Sequence, residues 1–85
     1  MLTDITATIR NVLREHGRLA EDLTVLSDTS DLFEAGLSSH ASVNLMLALE
    51  EHFNIEFSER MLQRRTFASI AAIRSCVEEL VRQNA

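Results

Sequence analysis

Apolar residues recur at helical spacing in three stretches of the chain, with less regular segments between them. In the first, Leu2, Ile5, Ile9, Val12 and Leu13 repeat every three or four residues, the spacing that aligns side chains on one helix face. This predicts a helix from about Thr3 to His16 that buries the stripe, exposes Arg10, Arg14 and Glu15, and stops at Gly17. The second stretch, Ser39 to His52, holds Val43, Leu45, Met46, Leu47 and Leu49, with Phe53 just beyond and Asn54 ending the pattern. Leu45, Leu49 and Phe53 share a four-residue register suited to burial, whereas Val43 and Leu47 lie on another register suited to recognition. The third runs from Phe67 or Ser69 to Gln83, with Ile70, Ile73, Val77, Leu80 and Val81 as its apolar face.

The connections are read by contrast with these stripes. From Arg18 to Ser30 no helical repeat is sustained, so the segment is expected to be an ordered loop whose Leu19, Leu23, Val25 and Leu26 cover the bundle. Asp31, Leu32 and Phe33 begin a turn that fastens this loop before Gly36. Asn54 to Phe57 is too short for a sheet and reads as an extended link, followed by a short helix from Glu59 to Leu62 capped by Ser58. There is no proline, internal repeat or Gly/Ser linker. The expected fold is all-α: a four-helix bundle with three main helices and a short third one, residues 1–85 forming a single domain.

Composition narrows the function classes. A chain of 85 residues has little room for both a core and an enclosed substrate cavity, yet its 46% apolar content supports folding. The net charge is −5, every cation is an arginine, and no lysine or arginine occurs between Glu21 and Glu59. That balance opposes nonspecific nucleic-acid binding and gives the central segment an acidic face. Arg60, Arg64 and Arg65 form a basic cluster beyond it, read as solvent-facing. With Cys76 as the only cysteine there is no intrachain disulfide, and its helical setting suggests a buried small hydrophobe. No apolar run approaches the roughly 18 residues of a membrane span, and Asp4 with no long apolar segment near it opposes a secretory leader, so a cytoplasmic location is expected. His16, His40 and His52 have no zinc-ligand spacing, and no catalytic triad or metal motif stands out.

What remains is Ser39. A hydroxyl at the start of an apolar helix lies near free backbone N–H groups and the positive end of the helix dipole, a setting that suits a phosphodiester. Ordinary capping by Ser38, Ser39 or Ser42 would use the same residues.

The wider segment resembles acyl and peptidyl carrier proteins. Gly36-Leu37-Ser38-Ser39-His40 is similar to their Gly-x-Asp-Ser-Leu motif, and Val43-Asn44-Leu45 with Ala48 to Ile55 follows their modified-helix pattern. Asp31-Leu32-Phe33, Ile55-Glu56-Phe57 and Thr66 to Ile70 fit the same architecture, so the resemblance spans nearly the whole chain. Ser38 stands where the motif has aspartate, His40 where it has leucine, and Asn44 where fatty-acid carriers are often acidic. Ala35 to Ser39, Ala41 to Val43 and Arg64 to Ile70 resemble more narrowly the aminoacyl carrier proteins served by stand-alone amino acid:[carrier protein] ligases akin to seryl-tRNA synthetases.

The resemblance implies a non-catalytic carrier. A phosphopantetheinyl transferase would attach 4'-phosphopantetheine from coenzyme A to Ser39, and an ATP-dependent ligase would load a small amino acid on it as a thioester, for delivery to a downstream enzyme. Leu37, Ser38, His40, Val43, Asn44, Leu47, Glu50 and Glu51 would meet these partners, Val43 and Leu47 by apolar contact and the two glutamates through a basic groove. Two alternatives stand beside it: a fatty-acid or polyketide carrier, and an unmodified helical interaction module in which Ser39 is only a cap.

Overall fold

The structure is a computed structural model that describes residues 5–17, 19 and 23–83. Leu2, Thr3 and Arg18, and the Leu23 side chain, lie outside the described part. Three α-helices carry the architecture: α1 (Ile5–His16), α2 (Ser39–Phe53) and α3 (Ile70–Gln83), with 3₁₀ turns at Leu23–Val25, Glu59–Met61 and Arg64–Phe67 and no strand among the described residues.

The three stripes meet as their spacing predicts. Ile9, Val12 and Leu13 from α1, Leu45 and Leu49 from α2, and Ile70, Ile73, Val77 and Leu80 from α3 form one buried cluster. The connections add Leu32, Leu37, Ile55, Phe57 and Phe67 to it, the last two with ring centroids 5.6 Å apart. Each large aliphatic chain buried there contributes about 1.5–3 kcal/mol of transfer free energy. No helix could keep its share alone, because the cluster exists only where all three converge.

The long first connection is ordered by polar ties as well as apolar ones. Arg10, expected on the surface, is part-buried: its guanidinium donates to the Leu26 carbonyl at 3.0 Å and to Asp28 Oδ1 at 2.8 Å. The Asp28 carbonyl in turn accepts from Ala71 N–H at 2.8 Å, so one residue links the loop to both α1 and the start of α3. Leu19 and Leu26 pack on the core as expected, but Val25, in the 3₁₀ turn, is 69% exposed and covers nothing. Asp31 Oδ1 accepts from the Phe33 and Glu34 N–H groups, and Leu32 N–H donates to the Ala68 carbonyl at 2.7 Å, closing the turn before Gly36.

Both glycines stand where a side chain would be strained. A Cβ on Gly17 would meet the Leu13 carbonyl oxygen at 2.8 Å, and Gly36 has a φ of 114°. The first ends α1 and the second turns the chain into α2.

The expected short helix from Glu59 to Leu62 is instead two successive 3₁₀ turns, separated by Leu62 and an extended Gln63. Ser58 occupies the cap position there without capping. Met61 N–H already donates to the Ser58 carbonyl at 2.9 Å, and the Ser58 hydroxyl is buried with no partner among the described residues. Among the described residues no helix is long and apolar enough to cross a membrane.

Candidate functional site

At the entrance to α2 two adjacent serines divide the work. Ser38, extended at φ −91° and ψ 164°, is the cap: its hydroxyl accepts from Ala41 N–H at 3.0 Å and its carbonyl from Ser42 N–H at 2.9 Å. Ser39 is the first helical residue, and it is exposed. Ser42 donates its hydroxyl to the Ser39 carbonyl at 2.7 Å, so it too is held locally. The Ser39 hydroxyl has no hydrogen-bond partner among the described residues. The alternative in which Ser39 is only a cap is therefore corrected: the capping oxygen belongs to Ser38.

Beside Ser39 lies a groove of about 390 Å³, lined by Phe33, Ser39, Ser42, Val43, Met46, Leu62, Gln63, Arg64 and Phe67. Its walls are α2 on one side and the turn-rich 58–67 segment on the other. Phe33 and Arg64 close one edge, with the guanidinium carbon 4.0 Å from the ring centroid. Gln63 donates its side-chain amide to the Arg60 carbonyl at 2.8 Å, which steadies the opposite wall. Phe33, Met46, Leu62 and Phe67 were not among the site residues expected from sequence. No periodicity joins positions 33 and 64, and only folding puts them together.

The proposed partner residues separate into those that face out and those that do not. Val43 and Leu47 are 50% and 52% exposed, while Leu45 and Leu49, on the other register, are completely buried. His40, Asn44 and Glu51 are also exposed. Leu37 is a correction: it is 3% exposed and belongs to the core, because Leu37 N–H donates back to the Leu32 carbonyl and turns the side chain inward. Glu50 is a second. Its carboxylate accepts from Phe57 N–H at 2.9 Å and its carbonyl from Ile55 N–H at 3.1 Å, so it fastens the helix exit. Asn54, left-handed at φ 56°, completes that exit. Glu51, not Glu50, is the acidic group available at this end of α2.

Cys76 is partly buried on α3, and its thiol pKa is raised by desolvation and by the nearby Glu79 carboxylate, with a Thr66 hydrogen bond pulling the other way. A thiol so placed is a weak nucleophile. The Ser39 hydroxyl, by contrast, is accessible, has no hydrogen-bond partner among the described residues and lines a groove.

Comparison with known proteins gives this geometry a family. Residues 3–73 match the phosphopantetheine attachment site family. The chain is 49% identical over 74 residues to the aminoacyl carrier protein of Agrobacterium fabrum (strain C58 / ATCC 33970), covering 87% of this chain and 89% of that one. Its fold matches a chain in the crystal structure of an engineered Bradyrhizobium japonicum glycine:[carrier protein] ligase complexed with a carrier protein from Agrobacterium tumefaciens and ATP, with a TM-score of 0.86, 47% identity, and 89% and 99% of the two chains covered. A solution structure from Agrobacterium tumefaciens matches with a TM-score of 0.73 at 45% identity, over 94% of this chain and 99% of that one. The chain belongs to the phosphopantetheine-attachment carrier proteins and, within them, to the aminoacyl carriers, which hold cargo for enzymes and are not themselves catalysts.

Proposed function

We propose that Ser39 is the attachment residue for 4'-phosphopantetheine, and that residues 1–85 act as one carrier domain which a separate ligase charges with a small amino acid. The observation that carries this reading is the division of labour at the α2 entrance. Ser38 satisfies the helix, so the neighbouring hydroxyl is left exposed and unengaged. Modification at Ser39 would therefore cost the helix no cap.

The residues present fit the group. Ser39 Oγ would attack the phosphorus of coenzyme A that bears the pantetheine, forming a new P–O bond as adenosine 3',5'-bisphosphate leaves and the hydroxyl proton passes to the transferase. The phosphodiester would then lie in the first turn of α2, where unpaired N–H groups and the helix dipole favour an anion. When bound, the group supplies a terminal thiol that carries the aminoacyl unit as a thioester. The Ser39 groove offers apolar wall from Val43, Met46 and Phe67 with polar groups from Ser42 and Gln63, a lining compatible with an arm that alternates methylenes and amides.

The solved complex of a similar carrier with a glycine:[carrier protein] ligase supports a loading partner of that class, and a ligase akin to seryl-tRNA synthetases is the form we infer. Because modification needs coenzyme A and loading needs ATP, the reading places the protein in the cytoplasm. The relative at 49% identity favours aminoacyl cargo over a fatty-acid or polyketide chain.

Intact mass after incubation with coenzyme A and a broad-specificity phosphopantetheinyl transferase tests the assignment. One phosphopantetheine should be gained by the wild type and none by Ser39→Ala. Gain by Ser39→Ala, or no gain by wild type beside a control carrier that is modified, would overturn it.

A further inference from the structure

Attachment at Ser39 leaves three arginines beside the groove without a role. The chain has no lysine or arginine from Glu21 to Glu59, then presents Arg60, Arg64 and Arg65, all exposed, in the two 3₁₀ turns of the 59–67 segment; Arg64 lines the groove, and Arg60 and Arg65 flank its lining residues in sequence. Arg64 lies over Phe33. Among the described residues no ion pair engages Arg60 or Arg65, although the chain has 13 acidic side chains to offer. Between the arginines sits Leu62, 50% exposed, which lines the groove together with Val43; Leu47 continues the apolar strip one turn further along α2.

An apolar strip edged by uncompensated cations is complementary to a surface of a particular kind. The acidic net charge argues against nucleic acid, and the ring beside the arginines, Phe33, is already covered by Arg64. Half-exposed Val43, Leu47 and Leu62 call for an apolar protein contact, and the arginines call for carboxylates around it.

Resting on the aminoacyl-carrier reading, we propose that the ligase loading this carrier docks an apolar segment over Val43, Leu47 and Leu62, with its own carboxylates facing Arg60 and Arg65. The exposed acidic group on the same helix, Glu51, is twelve residues from Ser39, about 18 Å along the axis at 1.5 Å per residue. Arg64 beside the Ser39 groove and Glu51 at the helix exit set opposite charges at the two ends of α2. A partner of matching polarity approaches in one orientation, with Ser39 towards its catalytic centre. This differs from recognition through a uniformly acidic helix, and it gives the absence of acidic side chains at Ser38, His40 and Asn44 a physical counterpart.

The test uses mass-verified holo-protein as substrate for the Bradyrhizobium japonicum glycine:[carrier protein] ligase with glycine and ATP. Arg60→Glu/Arg65→Glu should raise KM for the carrier about tenfold with kcat unchanged, and Arg60→Gln/Arg65→Gln should fall between. Arg14→Glu/Arg82→Glu, the same change of net charge on exposed positions of α1 and α3, should stay within about twofold of wild type. Raising NaCl from about 50 to about 500 mM should increase KM for wild type and decrease it for the double glutamate variant.

An unchanged or lowered KM in the double glutamate variant overturns the docking proposal while leaving the ligase reading intact, and so does an equal rise in the control. A wild-type dimer in sedimentation that the double glutamate variant dissociates would assign the strip to a second copy and overturn it as well. If wild-type holo-protein receives no glycine, the ligase reading falls and the docking surface falls with it, whereas Ser39 attachment is judged separately by the phosphopantetheine mass.

Discussion

The entrances of α2 and α3 are built with the same cap and then used differently. At α2 the Ser38 hydroxyl accepts from the N–H three residues on, Ala41, at 3.0 Å; at α3 the Ser69 hydroxyl accepts from Ala72 N–H at 3.1 Å. Each serine's carbonyl also accepts from the N–H four residues on. The residue that follows distinguishes them. After Ser69 comes Ile70, completely buried; after Ser38 comes Ser39, exposed. Capping is therefore common to both helices, and the next position is where they differ; in the proposed reading, the one at α2 carries the attachment site. One entrance points that position into the core and the other leaves it at the surface.

The largest effect expected is the one that would abolish the contrast. Ser39→Ala should eliminate phosphopantetheine incorporation while Ser69→Ala leaves it intact, as read by intact mass. Unfolding in urea should show Ser39→Ala within about 0.5 kcal/mol of wild type, since an exposed position outside the cap network has little to lose. The mirror-image substitution reverses the pattern. Ile70→Ala should cost about 2–5 kcal/mol through the lost burial and the cavity left behind, yet remain modifiable wherever it is folded. A large stability loss from Ser39→Ala would show that its hydroxyl is a structural group after all.

How much of this was legible depended on the range of the interactions involved. The stripes of α1, α2 and α3 and the separation of Leu45 and Leu49 from Val43 and Leu47 are local periodicities, and the structure reproduces them. The stop at Gly17 and the break at Asn54 are local as well. What escaped was set by contacts outside the helical repeat. Arg10 reads as a surface residue until Asp28 and the Leu26 carbonyl come within reach, and Leu37 reads as part of an exposed motif until its backbone bond to Leu32 turns it inward. Glu50 and Glu51 are indistinguishable as a pair; only the returning Phe57 N–H selects one of them. The site shows the same division. Ser39 is singled out in the sequence by its helix entrance and its motif resemblance, and the structure leaves it exposed; the groove beside it, with Phe33 against Arg64, has no signature in the sequence.

A smaller effect sharpens the comparison by testing the caps themselves. Ser38→Ala and Ser69→Ala should each cost about 1 kcal/mol, since each removes one side-chain acceptor from a helix start. Ser38→Asp should preserve the cap and add a modest gain from a negative charge at the positive end of α2, about 0.3–1 kcal/mol at low ionic strength. Modification of Ser39 should survive all three substitutions, and loss of modification in Ser38→Ala at full folding would place Ser38 in the transferase contact as well as in the cap. Urea midpoints paired with intact mass on the same samples separate the two roles.

The smallest effect concerns the other nucleophile. Where α2 exposes Ser39, α3 keeps Cys76 partly buried, and desolvation together with Glu79 raises the thiol pKa. Because the thiolate is favoured more in the unfolded chain, the linked stability is fully present below the unfolded pKa and is lost as pH rises through the folded one. The chain has no lysine and no tyrosine. Apart from a terminal amine near pH 8, Cys76 is thus the group that titrates between neutrality and arginine's range. The urea midpoint should decline in alkaline solution for wild type and hold nearly level for Cys76→Ala; an equal decline in both would detach the thiol from the fold's pH response. The same shift slows alkylation of Cys76 below that of a free thiol at pH 8, since less thiolate is present. A carrier whose cargo is to rest on a pantetheine sulfur has reason to keep its own sulfur protonated and partly covered. Apo-protein exposed to ligase, amino acid and ATP should accordingly remain uncharged at Cys76, and a stable aminoacyl adduct there would remove the distinction between the two helices.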